Sequence, residues 1–326
     1  MVYVKTICQY LVVLACILVL NFALPRIAPG SPANYLIVGA DIQSMSQEQI
    51  QQVLHEFELD LPVMTQFKNY ILGVFRGNLG LSVIYGRPVW DILKYRLPWT
   101  LLLMGISLLI SATLGVVIGV IGAWKRGGSR DLGSLFVVML LGSVPPFWVA
   151  MLLITLFSAA LGWLPSFGAY SIGAVPGTGK YLIEVIRHLI MPVMTLTIAK
   201  TGSMYLTTRS AMVIAMEDDY ILLAHAKGLR EKKILFTHAL RNAILPIYTN
   251  LMSGLGAMVG GAAVVETVFS YPGIGNTIYE SVRARDYNLL QGSFLVISVS
   301  ILICNLIADL GYPLLDPRVR RQVVEA

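Results

Sequence analysis

Six long apolar stretches, separated by polar segments, set the pattern of this chain. They run Ile7–Leu24, Trp99–Trp124, Leu132–Leu161, Leu189–Met216, Leu245–Phe269 and Leu290–Tyr312. Each is near the roughly 20 residues that an α-helix needs to cross a bilayer, which predicts an all-α, polytopic membrane protein with about six transmembrane helices. The third stretch is long and holds Pro145-Pro146, which should kink or break it. The fourth contains Lys200 and many hydroxyl residues. It is kept because dropping it would place two basic segments on opposite sides of the membrane. After the first stretch, Pro25-Arg26-Ile27-Ala28-Pro29-Gly30 lacks a small-x-small cleavage pattern, which favours an uncleaved anchor helix. The expected organisation is an anchor over 1–28, an extracytoplasmic segment over 29–96 and a core of five transmembrane helices over 97–326. Within the extracytoplasmic segment, Ser46 and Gln49 form a capping box for a helix through Leu59.

The densest polar pattern is a basic island over 217–245, set between two apolar spans. It contains Asp219 and Tyr220, then Ala224, His225, Ala226, Lys227 and Gly228, and after nine residues His238, Ala239, Leu240, Arg241 and Asn242. Two short helices fit, with Gly228 as the break because glycine ends helices and tolerates left-handed backbone angles. In the second helix Leu235, Phe236, Ala239, Leu240, Ala243 and Ile244 form an apolar stripe at helical period. Lys232, Lys233, Thr237, His238, Arg241 and Asn242 occupy the opposite face. One face is suited to packing on the membrane domain, the other to meeting a soluble partner.

Composition agrees with the pattern. Of 326 residues, 56% are hydrophobic and 13% charged, too apolar for a soluble domain of this length. The mean hydropathy of +0.72 points the same way. The net charge of +6 reflects topology. With the N-terminus inside, Lys5, Lys125, Arg126, Arg130, Arg209, the island and the tail residues Arg318, Arg320 and Arg321 all fall on the cytosolic side. Basic residues there outnumber acidic ones thirteen to seven, whereas the outer segments balance at ten each. Both termini are therefore expected in the cytosol. No basic patch is interleaved with aromatics, so no nucleic-acid partner is expected. Cys8, Cys16 and Cys304 fall in apolar spans without metal-like spacing and read as buried hydrophobes.

On the island's residues, the chain resembles the permeases of ATP-binding-cassette importers, in the branch carrying oligopeptides, dipeptides and nickel. Ala224 and Gly228 match the family's coupling loop, whereas Leu222 stands where a Glu is usual. In His238-Ala239-Leu240-Arg241-Asn242, Arg replaces the usual Pro, a departure typical of one of the two paired permeases of the peptide branch. Further matching segments are Leu59-Asp60-Leu61-Pro62, Gly77-Asn78-Leu79-Gly80, Arg96-Leu97-Pro98-Trp99-Thr100-Leu101, Glu266-Thr267-Val268-Phe269 with Pro272-Gly273-Ile274-Gly275, Arg285-Asp286-Tyr287 and Gln291-Gly292. The resemblance implies the type I importer permease fold in the inner membrane. It also implies a homologous second permease, two cytosolic ATPases, an extracytoplasmic binding protein and a peptide cargo, with nickel, metal chelates and oligosaccharides as alternatives.

No nucleotide site is expected on this chain; ATP and magnesium belong to the ATPase partners. The nearest phosphate-loop candidate, Gly173–Lys180, fails on spacing and has Tyr181 where Ser or Thr would hold magnesium. His55, His188, His225 and His238 are dispersed over both sides, and no acid, base or nucleophile set converges. Lys200 and Asp309 lie within spans and Glu266 near the end of one, where a charge costs about 2.5–3.5 kcal/mol at the bilayer centre. They are candidates for the translocation path; the rival reading is an internal ion pair or snorkelling to an interface. Gly115 with Gly119, and Gly256 with Gly260 and Gly261, have the small-xxx-small spacing of close helix packing, inside the subunit or against its partner. A secondary transporter would instead show inverted repeats with broken helices, and none is visible.

Overall fold

Apolar stretches become helices in this protein, but two of the helices start at caps and polar turns well before the apolar boundary. The computed structural model describes residues 2–27, 48, 51, 55 and 60–315. Its helices are α1 (Val2–Ile27), α2 (Val63–Phe75), α3 (Val89–Trp124), α4 (Ser129–Ser143), α5 (Pro146–Leu153), α6 (Gly179–Met216), α7 (Asp219–Ala226), α8 (Leu240–Val268), α9 (Ile274–Ala284) and α10 (Tyr287–Leu315). Two π-helical turns, Ile154–Ala160 and Ile234–Ala239, continue α5 and lead into α8. Among the described residues there is no strand, only an isolated bridge between Leu81 and Pro88. The fold is all-α and polytopic. Four of the described helices are long and apolar enough to cross a membrane, or five if the bent pair Asp131–Ser143 and Pro146–Ala160 is one span. The remaining expected stretch coincides with α8, whose 29 residues extend about 43 Å at 1.5 Å per residue. The helix expected from Ser46 to Leu59 falls almost entirely outside the described residues.

Two expected spans prove to be parts of longer helices. α3 starts at Val89, where Asp91 pairs with Lys94 at 2.6 Å in the first turns, and it carries Pro98 inside. α6 starts at Gly179 because Thr178 caps it, accepting a hydrogen bond from the Tyr181 amide at 3.2 Å. The proline pair breaks the third stretch as expected. Pro145 holds Val144 extended (φ −81, ψ 127), Pro146 occupies the first turn of α5, and the two helices bend by 93°.

The chain forms two units, Met1–Pro98 with Asn276–Leu302, and Trp99–Gly275 with Ile303–Ala326. In the first, Val89, Ile92, Leu93 and Leu289 make the core. Asp286 is its polar anchor. One carboxylate oxygen caps α10 by accepting from the Leu289 amide at 3.1 Å, and the other accepts from the Ser82 hydroxyl at 2.5 Å and the Ile84 amide at 3.1 Å. Asn21, buried in apolar α1, donates to the Gln291 carbonyl at 2.7 Å and to Tyr70 Oη at 3.1 Å. Cys8 and Cys16, expected to be buried, are exposed on α1, whose inward residues are Leu18, Asn21 and Phe22.

In the second unit, one core gathers Leu103, Met191, Leu196, Val265, Phe269 and Tyr271, and another gathers Val120, Met212, Ile221, Ala224, Ile234, Leu235 and Ala239. Gly115 and Gly119 seat α3 directly on α6. A Cβ at Gly115 would lie 2.6 Å from that of Met204, and one at Gly119 would lie 2.7 Å from that of Thr208. The first small-residue pair therefore packs inside the subunit. The side-chain surroundings of residues 257–261, which include Gly260 and Gly261, lie outside the described residues.

Candidate functional site

The island is built as a capped helix clamped onto the second core. α6 ends at Met216 with Glu217 as its C-cap, and α7 begins at Asp219, which is exposed in the first turn. Tyr220 Oη donates back to the Ala215 carbonyl at 3.0 Å, tying the start of α7 to the end of α6. At its other end, Gly228 adopts φ +68. The Leu229 amide donates to the Ala224 carbonyl at 3.3 Å and the Gly228 amide to the His225 carbonyl at 2.9 Å. That pair of bonds is a Schellman stop, and its usual apolar contact is supplied by Leu229 and Ala224 in the shared core. A Cβ on Gly228 would meet nothing within 4 Å, so the backbone angle alone demands glycine.

The inward face of α7 is Ile221 and Ala224. Ala224 thus packs against the subunit's own core. Ala226, Lys227 and Gly228 are exposed, as is His225. Sequence reasoning missed Leu222 and Leu223, which are 72% and 56% exposed and put two large apolar side chains on the outer face of α7. Their signal was present in Leu222, an apolar residue where the resembling family has a carboxylate.

After Gly228 the chain does not form a second separate helix. One turn, Glu231–Lys233, passes through the π-helical Ile234–Ala239 directly into α8, so His238, Leu240, Arg241 and Asn242 belong to the start of a long helix. Of the expected apolar stripe, Leu235, Ala239 and Ala243 are buried and Leu240 packs beside them. Phe236 instead lies outside at 46% exposure, because the extra residue in the π turn rotates the stripe and brings Ile234 inward in its place. Lys232, Lys233, Thr237, Arg241 and Asn242 are exposed. His238 is partly buried, and its Nε2 has no hydrogen-bond partner among the described residues.

An ion pair with a buried carboxylate ties α4 to α6, the helix that leads into α7. Arg209 on α6 grips Asp131 on α4 with two bonds, Nε to Oδ1 at 2.7 Å and Nη2 to Oδ2 at 2.6 Å. The Asp131 side chain is 1% exposed and also accepts from the Gly127 amide at 2.9 Å. Nearby, the Tyr205 and Ser134 hydroxyls lie 3.0 Å apart, and the exposed Arg126 meets Glu217 at 2.9 Å. Arg209 entered the sequence reading only as a topological charge.

The three candidate path charges have different settings. Glu266 is fully buried and accepts from the Thr100 hydroxyl at 2.7 Å, while that hydroxyl accepts from the Ile274 amide at 2.8 Å. A Cβ on Gly273 would collide with its carboxylate, so the Pro272–Gly275 turn wraps it closely. Glu266 thus braces a turn in this conformation, with no surface on a path. Burial, aided by the Glu266 charge, raises the pKa of the neighbouring Tyr271 phenol above its usual range. Asp309 is exposed on α10, next to Ala308, whose carbonyl accepts from Tyr248 Oη at 3.1 Å. Lys200 is half-buried on α6 and borders a cavity of about 190 Å³ with Ser111, Ser203, Asn250 and Ser253. In the segment weighed as a phosphate loop, Gly179-Lys180 instead opens α6 behind its Thr178 cap.

Comparison with known proteins agrees with this architecture. The family described as "Binding-protein-dependent transport system inner membrane component" matches residues 115–321, and its N-terminal counterpart matches residues 1–104. The chain is 34% identical to the di/tripeptide transport system permease protein DppB of Pseudomonas aeruginosa, covering 93% of this chain and 94% of that one. It is 32% identical to the oligopeptide transport system permease protein AppB of Bacillus subtilis, covering 94% and 95%. Identity to the dipeptide transport system permease protein DppB of Escherichia coli is also 32%, covering 94% of each. A solved inward-facing structure of the MetNI methionine ABC transporter shares the fold, with a TM-score of 0.56 at 15% identity over 69% of this chain and 96% of that one.

Proposed function

Because the chain belongs to the family of binding-protein-dependent transport system inner membrane components, we propose that it forms half of the translocation pathway of an ATP-driven importer of di- and oligopeptides. The other half is a homologous second permease. Two cytosolic ATPases grip the island, use the ATP and magnesium, and a binding protein delivers cargo from outside. Both termini face the cytosol in this reading, in line with the basic excess of the inner segments. The names of the relatives support peptide as cargo over nickel, metal chelates or oligosaccharides.

The observation that carries the reading is the α7 surface. A short helix is fixed to the subunit by Ile221, Ala224 and Tyr220 and stopped by Gly228, yet it presents Leu222 and Leu223 to the outside beside His225 and Lys227. Exposed apolar pairs ringed by charge suit a protein partner. ATP-driven closure of the ATPases would push α7, and the rigid core beneath would carry the movement into α6 and α8 as a body. The test is reconstitution. Peptide uptake into liposomes should require the second permease, both ATPases, ATP and the binding protein, and should stop with vanadate. Transport by this chain alone, or protease mapping of Gly228 to the extracellular side, would overturn the proposal.

A further inference from the structure

The Lys200 cavity has a composition that helix packing does not require. On α6, Lys200, Ser203 and Thr207 follow one another at helical spacing, close to the middle of the Leu189–Met216 span. Asn250 of α8 donates to the Ser203 carbonyl and hydroxyl, both at 3.1 Å, and to the Thr207 hydroxyl. These bonds keep the polar row in place and consume the amide's donors. Ser111 spends its hydroxyl on the Leu108 carbonyl at 3.1 Å. The ammonium of Lys200 forms no ion pair or hydrogen bond among the described residues, although it stands beside open space of about 190 Å³. A lysine at this depth needs a compensating charge, because its insertion costs about 2.5–3.5 kcal/mol. Nothing on α3, α6 or α8 around the cavity supplies one: its lining holds no acidic residue.

We propose that this cavity is a transient subsite for a carboxylate of the transported peptide, with Lys200 as its counter-ion and the Ser253 hydroxyl as a second donor. The proposal rests on the importer reading above and adds to it a place where the cargo's negative end is held during passage. The volume suits a carboxylate and the chain atoms next to it, so an extended peptide would be held by one end. An ammonium in a medium of low dielectric attracts a carboxylate far more strongly than in water, yet with few further contacts the cargo can leave again. The rival source of the same chemistry is an Asp or Glu of the second permease, which would neutralise Lys200 permanently.

Two measurements decide between these. In the reconstituted importer, Lys200→Met should lower uptake of a zwitterionic tripeptide at least ten-fold, while Lys200→Arg stays within about three-fold of wild type. Separately, without peptide, a Ser253→Cys background should react with an anionic thiol reagent relative to a cationic one about ten-fold faster when Lys200 is present than when it is Met. Equal uptake by the Met and Arg variants would overturn the subsite. So would a reagent ratio that ignores position 200, the outcome expected if a partner carboxylate already neutralises the lysine. Failure of the importer reading would appear in wild type itself, as absent peptide uptake. The reagent ratio reports on the cavity regardless.

Discussion

Gly228 allows the cost of a bend to be separated from the cost of a blocked surface. Its φ of +68 lies in the left-handed region, where an L side chain costs about 1–2 kcal/mol. The space around it is open, so side-chain size adds almost nothing inside the subunit. Gly228→Ala should therefore destabilise the α7 stop by about 1–2 kcal/mol, a factor of roughly 5–30 in the local equilibrium. Gly228→Asn should cost less, because Asn tolerates the left-handed region. Gly228→Trp should match Ala in stability, since its extra atoms meet only solvent. In transport the two should diverge, because an indole on the exposed side of the stop occupies the space that the proposed ATPase contact needs. Thermal unfolding of the purified membrane complex would measure the first quantity, and ATP-dependent uptake with membrane abundance the second. Uptake by the Trp variant equal to that of Ala would refute the docking argument. A Trp variant much less stable than Ala would refute the claim of open space.

Other outcomes follow from the same contacts. Asp131→Ala or Arg209→Ala should each destabilise by about 3–5 kcal/mol, because each strands a largely buried charge, and the double variant should cost clearly less than their sum in a melting cycle. Gly115→Val should cost about 1–3 kcal/mol by forcing α3 away from Met204, whereas Gly133→Ala, with nothing within 4 Å of its new Cβ, should be neutral in the same melts. Thr100→Val should cost about 1–3 kcal/mol by removing a donor to Glu266 and the acceptor of the Ile274 amide; urea or thermal unfolding showing no change would mean that water replaces the hydroxyl.

Much of the architecture was legible because membranes simplify the code. Hydropathy located α1 and α10, the proline pair located the 93° break, and one glycine located the end of α7. Helix starts were less legible. Val89 and Gly179 lie some ten residues before the apolar boundary, since caps and early polar turns carry helices beyond the hydrocarbon. At the candidate site, the position of the short helix was readable but its facing was not. Eight residues give too short a period to orient α7, and only packing shows that Ala224 points inward and Leu222 outward. The Asp131–Arg209 pair spans 78 residues of sequence, a separation at which no local pattern carries information. Glu266 looked like a path residue because a buried carboxylate is costly; the cost is met by a hydroxyl and a glycine-rich turn that only folding brings together.

A machine part that receives thrust must not yield at its mounting. In the proposed importer, the guanidinium–carboxylate clasp between α4 and α6 belongs to the mounting of α7, because α7 follows α6 directly in the chain, and two short parallel bonds resist shear as well as separation. Compliance at that joint would let strokes of the motor dissipate as local slippage. Variants that loosen it should consequently waste fuel, splitting ATP at a normal pace while delivering fewer molecules per cycle.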